Sequence, residues 1–325
     1  MFQLFGALFD HLLIFFFSIF LLFFFGKWLV DGLVKIACFL KLREFVIAFF
    51  IIALAGSVPN FFFGIFSTFK GAPQLSFGDV VGGNVVDLTI VIALSVLLGQ
   101  GLPAKSRMVQ GSAIFTSLIA VLPLLLVLDG VLSRLDGLFL ISFFFIYVFW
   151  LFSKKERFSK VYCVEEEVSL LKELKGFFIG LIKIMLGLAA LLIASRGMVE
   201  TGYYFSEALG LPLVLVGILI VGLGNAFPET YFTIISARKK QNWLVLGDLM
   251  GSVIVCSTLV LGTVAFIQPI EIVNFLPLVV ARLFLIASAF FFLVFVRTEQ
   301  QITKKEGLFL LSIYIFFIII EIFIR

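Results

Sequence analysis

The stretch PNFFFGIFSTFKGAPQLSFGDVVGGNVVDLTIV, residues 59–91, recurs as PETYFTIISARKKQNWLVLGDLMGSVIVCSTLV, residues 228–260. The two copies share twelve identities in 33 ungapped positions at a shift of 169 residues. By composition alone, roughly three or four identities would be expected. The chain therefore contains an internal duplication.

The composition around these copies is that of a membrane protein. Apolar residues make up 62% of the 325 positions, charged residues make up 14%, and the mean hydropathy is +1.22. A spanning helix needs about 20 mostly apolar residues. Runs of this kind predict ten spans near residues 11–36, 46–69, 79–99, 108–129, 137–153, 177–204, 211–236, 248–267, 272–296 and 307–324.

A polar stretch near the middle divides the chain into two equal sets of spans. We expect a first five-helix repeat over residues 1–152, a cytoplasmic loop over 153–175 and a second repeat over 176–325. Five is an odd number, so the second copy must enter the bilayer from the opposite side. The predicted fold is an all-α polytopic membrane protein with ten transmembrane helices in two inverted repeats of five, an architecture that recurs in secondary transporters.

Basic residues give the predicted orientation, because cytoplasmic loops are enriched in lysine and arginine. With the amino terminus outside, the outer side holds only Lys70, Arg134 and Arg325. The inner loops hold Lys41, Arg43, Lys105, Arg107, Lys154, Lys155, Arg157, Lys160, Lys172, Lys175, Arg238, Lys239, Lys240, Arg297, Lys304 and Lys305. We therefore expect an integral protein of the cell membrane with both termini outside.

Prolines interrupt the second and seventh predicted spans at matched positions. Pro59 follows small and polar residues and precedes Asn60, and Pro228 follows a similar run and precedes Glu229. A proline inside a helix leaves one backbone carbonyl without its donor, and free carbonyls are good ligands for hard cations. We expect helix breaks at both prolines, and a simple proline kink is the alternative.

Acidic residues occur inside the predicted spans. Asp87 and Glu229 lie several residues from the ends of their apolar runs, where ionisable side chains by default suggest an ion or proton pathway. The alternative is that they are satisfied structural acids. Asp79 and Asp248 each follow a glycine at a predicted helix start, which favours a role as caps, with a role in ion access as the alternative.

Two further pairs of charges match across the repeat. Lys27 and Asp31 in the first span align with Arg196 and Glu200 in the sixth. In each pair the residues are four positions apart, so they share one helix face. The spacing predicts a local ion pair in each helix.

These segments resemble the cation/calcium antiporter superfamily, which includes the sodium/calcium exchangers. Its two alpha repeats carry a segment like G-T-S-L-P-E, followed by G-N-x-x-G-S-N-x-x-N or -D. The first copy here has GSVPN at residues 56–60 and GDVVGGNVVD at 78–87. The second copy has GNAFPE at 224–229 and GDLMGSVIVC at 247–256. The resemblance extends over nearly the whole chain.

The resemblance implies a set of ion-binding residues. They are Ser57, Asn60, Gly83, Asp87, Asn225, Glu229, Ser252 and Cys256. Several depart from the pattern: Asn60 stands where the family has its first-copy acid, Gly83 replaces a serine, and Cys256 is a soft thiol at a position for a hard oxygen ligand. Asp87 and Glu229 are the expected metal ligands.

The implied function is secondary-active cation antiport, exchanging calcium or another divalent cation for sodium or protons by alternating access. Two ionised carboxylates would be neutralised by one calcium, two sodium ions or two protons, and their mutual repulsion in a low dielectric favours protonation of at least one. The resemblance implies that the first and sixth spans slide against the others.

Other classes of function are weighed against this one. A non-transporting ion sensor or assembly subunit of the same fold is the main alternative, because the first-copy acid is missing. We expect no enzyme, cofactor or nucleic-acid partner, and no nucleotide-binding glycine loop occurs in the sequence. The expected partners are the lipid bilayer and small inorganic cations, and the sequence leaves the oligomeric state open.

Overall fold

The computed structural model describes residues 2–39, 53–99, 101–153, 170–272 and 275–323. In those ranges the chain forms α1 (Phe2–Phe39), α2 (Ala53–Phe69), α3 (Pro73–Gly99), α4 (Arg107–Leu126), α5 (Arg134–Ser153), α6 (Leu170–Leu209), α7 (Leu213–Arg238), α8 (Asn242–Val255, continuing as Cys256–Val260 and Leu261–Ile267), α9 (Phe275–Arg297) and α10 (Lys304–Phe323). Eight of these helices are long and apolar enough to cross a membrane, and α2 is a shorter apolar helix.

The predicted all-α architecture of ten helices in two repeats is confirmed. The predicted beginning of the second span, 46–52, and most of the predicted loop, 154–169, lie outside the described residues.

The helices of the third and eighth spans begin six residues earlier than predicted. The third and eighth spans were placed at Asp79 and Asp248, but α3 begins at Pro73 and α8 at Asn242. Proline suits the first position of a helix, where its missing N–H has no helical partner to lose. Asp79 and Asp248 therefore lie well inside their helices, and the prediction that they cap helix starts is wrong.

Two π-helical turns lie at matched positions of the repeat. A π-helical turn occupies Asp87–Val91 in α3, and another occupies Cys256–Val260 in α8. These turns are separated by the 169-residue shift seen in the sequence. A third π turn, Gly217–Val221, lies in α7, and the matching positions 48–52 are outside the described residues. π turns inside α-helices occur frequently at functional sites.

Short strands connect the two repeats at both ends of the bundle. β1 (Leu102–Pro103) pairs antiparallel with β4 (Gln301–Ile302), and β2 (Val131–Leu132) pairs antiparallel with β3 (Ile270–Glu271). β1 precedes α4 and β2 follows it, so the two pairs lie at opposite ends of a spanning helix. Each pair joins a loop of one repeat to a loop of the other.

The two longest helices, α1 and α6, pack along one another. Gly32 and Gly180 face each other at the contact, and a Cβ built on either would come within 3 Å of the backbone carbonyl oxygen of the other. Asp31 pairs across this contact with Lys183 at 3.3 Å. The predicted local pair with Lys27 is therefore wrong, because the neighbouring helix supplies a nearer cation. The matching pair Arg196–Glu200 is confirmed at 3.0 Å.

α3 and α7 bring the backbones of the two repeats into close contact. A Cβ on Gly78 would overlap the carbonyl oxygen of Val214 and lie 2.9 Å from the Cα of Gly217. Gly82 meets the backbone of Ile218 in the same way. The absence of side chains at these positions lets the two backbones touch, and this contact brings the polar segments of the repeats together.

Candidate ion-binding site

A small buried cavity lies where α2, α3, α7 and α8 meet. Its volume is ≈ 10 Å³, about the room for one water-sized particle. Asp87, on its wall, is 14 residues from the start of α3, which corresponds to about 21 Å along the helix axis. The cavity is lined by Asn60, Asp79, Val80, Gly83, Asn84, Asp87, Gly222, Asn225, Ala226, Glu229, Ser252 and Cys256.

One side of the cavity is acidic. The hydroxyl oxygen of Ser252 lies 3.0 Å from Oε1 and 3.1 Å from Oε2 of Glu229, so it donates a bifurcated hydrogen bond to this carboxylate. Asp87 lies beside both residues, close enough to Glu229 for charge repulsion. Its Oδ1 is buried and has no hydrogen-bond partner. Glu229 and Asp87 are 7% and 3% exposed, and a cation between them would relieve both the repulsion and the missing bond.

The other side of the cavity is neutral. Asn60 Nδ2 donates to Cys256 Sγ at 3.3 Å. In the repeat Asn60 matches Glu229, and Cys256 matches Asp87. The two most obvious departures from the family pattern are thus in contact, and together they form an uncharged counterpart of the acidic pair.

Seven of the eight residues implied by the resemblance line this cavity, and Ser57 does not. Ser57 is buried, and its hydroxyl donates to the carbonyl of Ala53 in its own helix at 2.8 Å. Gly83 leaves open space, since nothing lies within 4 Å of a Cβ built there. Asn225 donates to Asp79 Oδ1 at 2.9 Å and so connects the two repeats.

The prolines lie inside continuous helices. α2 runs through Pro59 and α7 runs through Pro228 without interruption. The predicted helix breaks are therefore wrong, because packing against neighbouring helices keeps the chain helical on both sides of each ring. Each ring still removes the donor for the carbonyl four residues earlier, at Ala55 and Gly224.

The predicted ion site left out three polar residues that the structure brings to this region. Asp79 lines the cavity at 1% exposure, and its Oδ2 has no hydrogen-bond partner. Asn84 also lines it and donates to Ser257 at 2.7 Å. Asp248 lies close enough to Glu229 for charge repulsion. The available signal was the identity of Asp79 and Asp248 in both copies, inside apolar runs that continue on either side.

A wide crevice leads from this region to one face of the bundle. It has a volume of ≈ 620 Å³, and its lining includes Gly56, Pro59, Asn225, Glu229 and Asp248. Its lining also includes Lys35, Lys239 and Gln241, which lie at or near the ends of α1, α7 and α8, so the crevice extends to this end of the bundle. Glu229 and Asn225 line both the crevice and the cavity. Glu229 of the acidic pair is therefore reachable through the crevice.

The donors around the cavity are suited to hard cations. Carboxylate, amide and hydroxyl oxygens are the ligands that calcium and similar ions prefer. Within the ranges that the structure describes, no three acidic, histidine or cysteine side chains form a ready-made metal site. The acids are instead spread around Glu229, an arrangement that leaves room for carbonyl and hydroxyl ligands beside each carboxylate.

The fold and the central polar site define a polytopic helical membrane protein of the inverted-repeat class. The family profile described as sodium/calcium exchanger protein matches residues 11–153 and 179–323. The chain belongs to this family, and the predicted resemblance is confirmed.

Individual relatives match over almost their full length. The sodium/calcium exchanger MaX1 of Methanosarcina acetivorans is 24% identical over 335 residues, covering 92% of this chain and 95% of that protein. The uncharacterized membrane protein MJ0091 of Methanocaldococcus jannaschii is 24% identical over 297 residues, covering 91% and 92%. A structure of the sodium-calcium exchanger NCX_Mj, soaked with Na⁺ and Sr²⁺, superimposes with a TM-score of 0.68 at 22% identity, covering 96% and 98% of the two chains.

Proposed function

We propose that the protein is a secondary-active cation antiporter, which exchanges calcium or another divalent cation for sodium ions or protons by alternating access. The observation that supports this most directly is the position of Glu229. It is a buried carboxylate held by Ser252 between the two repeats, and it borders both the enclosed cavity and the open crevice. Family membership and the similarity to MaX1 support the same function.

The charges of the site support competition between two kinds of ion. Asp87 and Glu229 carry two negative charges when both are ionised. One divalent cation or two monovalent cations neutralise them, and binding of one kind excludes the other. Exchange follows when the loaded site opens alternately to the two faces, because an empty pair of close carboxylates in a low dielectric is costly to move.

The test is gradient-driven flux in proteoliposomes. Vesicles containing the purified protein are loaded with sodium and diluted into sodium-free medium with radioactive calcium, and a parallel set uses a proton gradient. We expect calcium accumulation that an ionophore for the driving ion abolishes. Glu229→Gln reduces this uptake by more than about tenfold, and Glu207→Gln, at an exposed position of α6, leaves it within about twofold of wild type.

A second function has one observation in its favour. The neutral contact between Asn60 and Cys256 removes charge from half of the cavity. A protein that binds a cation with the remaining half and does not transport it would act as an ion sensor or assembly subunit. Calorimetric calcium binding by the folded protein, with no flux under either gradient, would establish this alternative and overturn the antiporter proposal.

We further propose that both termini face outward in the cell membrane, so that the crevice opens to the cytoplasm. Lys70 and Lys239 occupy matched positions of the inverted repeats, and both are exposed. In intact cells a membrane-impermeant thiol reagent should label Lys70→Cys and spare Lys239→Cys, measured above the background of the native cysteines. Labelling of both, or of Lys239→Cys alone, contradicts the proposed orientation.

A further inference from the structure

Asp248 has an environment that its repeat partner Asp79 does not share. Asp79 receives a hydrogen bond from the amide of Asn225 in α7. The residue matched to Asn225 is Gly56 in α2, which has no side chain to donate. Asp248 therefore faces α2 without the amide partner that the same acid has in the other copy.

The space at Gly56 is bordered by two carboxylates. A Cβ built on Gly56 would lie 3.5 Å from Glu229 Oε1 and 3.7 Å from Asp248 Oδ1. The two oxygens thus point toward one small volume from different helices, α7 and α8. Asp248 is 2% exposed, and no hydrogen bond to its carboxylate is found among the described residues. A buried carboxylate without a donor favours a cation beside it.

This volume is reached from the crevice. Gly56, Glu229 and Asp248 all line the crevice, and Asp248 is absent from the wall of the inner cavity. Asp248 is six residues from the start of α8, or about 9 Å along its axis, whereas Glu229 is nine residues from the end of α7, or about 14 Å. Lys239 and Gln241, next to these two helix ends, also line the crevice, so an ion that enters from this end meets Asp248 before it reaches the cavity.

We propose that Asp248 and Glu229 form a second cation position, open to the crevice at Gly56, which binds a hard divalent cation before it passes to the inner cavity. This position rests on the proposed antiport function and deepens it, since Glu229 would be shared by the crevice position and the cavity. Carboxylate oxygens from two helices, completed by water from the crevice, match the oxygen ligands that calcium and strontium take. The free carbonyl of Ala55, which also lines the crevice, is available as a further ligand.

The test separates the two faces of the membrane. Calcium uptake is measured in vesicles of uniform orientation, with calcium offered first on the crevice side and then on the opposite side. Asp248→Asn should raise the KM for calcium on the crevice side by about tenfold or more and change the maximal rate by less than about twofold, and Asp248→Glu should restore most of the affinity. Asp10→Asn, at an exposed position of α1, serves as the control.

Two substitutions at Gly56 test whether filling the volume beside Asp248 and Glu229 has the same effect. Gly56→Asn supplies the amide that Asn225 provides in the other copy, so it should occupy the position and raise the crevice-side KM as Asp248→Asn does. Gly56→Ala adds only a methyl at ordinary contact distances, so the fold is retained while part of the volume is filled. An intermediate rise in KM is expected for it.

The outcomes distinguish this inference from the antiport proposal. An unchanged crevice-side KM in Asp248→Asn, or equal losses on both sides together with a lowered melting temperature, overturns the crevice position. If the wild type shows no flux, equilibrium calcium binding is compared between wild type and Asp248→Asn. Weaker binding in the variant then supports the position although antiport has failed, and equal binding overturns it.

Discussion

The hydroxyl of Ser252 is the clearest single determinant of how Glu229 is held. Ser252→Ala removes the donor shared by both carboxylate oxygens, at 3.0 and 3.1 Å, and adds no bulk. A hydrogen bond to a charged group contributes about 1.5–3 kcal/mol. At about 1.4 kcal/mol per factor of ten, the apparent affinity for the transported divalent cation should fall by about 10- to 150-fold.

The assay is equilibrium binding of calcium to the purified protein, followed by flux in proteoliposomes. Ser288→Ala is the matched control, because Ser288 is equally buried and its hydroxyl bonds only to the carbonyl of Phe284 in its own helix. Its affinity should stay within about twofold of wild type. A Ser252→Ala protein that melts normally and binds calcium as the control does would refute the role assigned to this hydroxyl.

Other predictions concern packing and charge. Gly78→Ala should destabilise the protein by about 2–3 kcal/mol in a detergent melt, since the new methyl overlaps the backbone of α7. In Gly83→Ala the new methyl meets nothing within 4 Å, so the stability of this control should stay within about 1 kcal/mol of wild type. Equal losses of stability in the two variants would contradict the close helix contact. Asp31→Asn should cost less than about 1 kcal/mol, because its pair with Lys183 is partly exposed; a larger loss would mean that the pair is shielded from water. Asn60→Glu adds a fourth acid to the cavity, beside Asp79, Asp87 and Glu229, so calcium should raise the melting temperature of the variant more than that of wild type. An equal calcium effect would place Asn60 outside the ion site.

Much of the architecture followed from the sequence because it depends on patterns that the bilayer enforces. The apolar runs and the matched copies at residues 59–91 and 228–260 were enough to predict ten helices in two inverted repeats. Backbone polar groups cannot remain unpaired in lipid, so long apolar runs have few alternatives to a helix.

The errors came from local signals that tertiary packing overrides. Gly-Asp at 78–79 and 247–248 has the form of a helix start, yet the helices begin six residues earlier, because the preceding apolar residues are buried and extend the helical face. The prolines have the form of helix breaks, yet neighbouring helices keep α2 and α7 continuous. Asp248 was predicted as a helix cap, with ion access as the alternative, because its contact with Gly56 of a different helix is visible only in the structure.

The paired strands at the two ends of the bundle constrain which parts of the protein can move. β1 with β4, and β2 with β3, tie the halves together through the loops around α4 and α9, and neither pair includes α1 or α6. Spin labels placed across either strand pair should therefore report one fixed separation throughout a turnover cycle. The distance from a label on α1 to the same strands would instead take two values. The helices joined by the strand pairs would then form a rigid unit against which α1 and α6 slide.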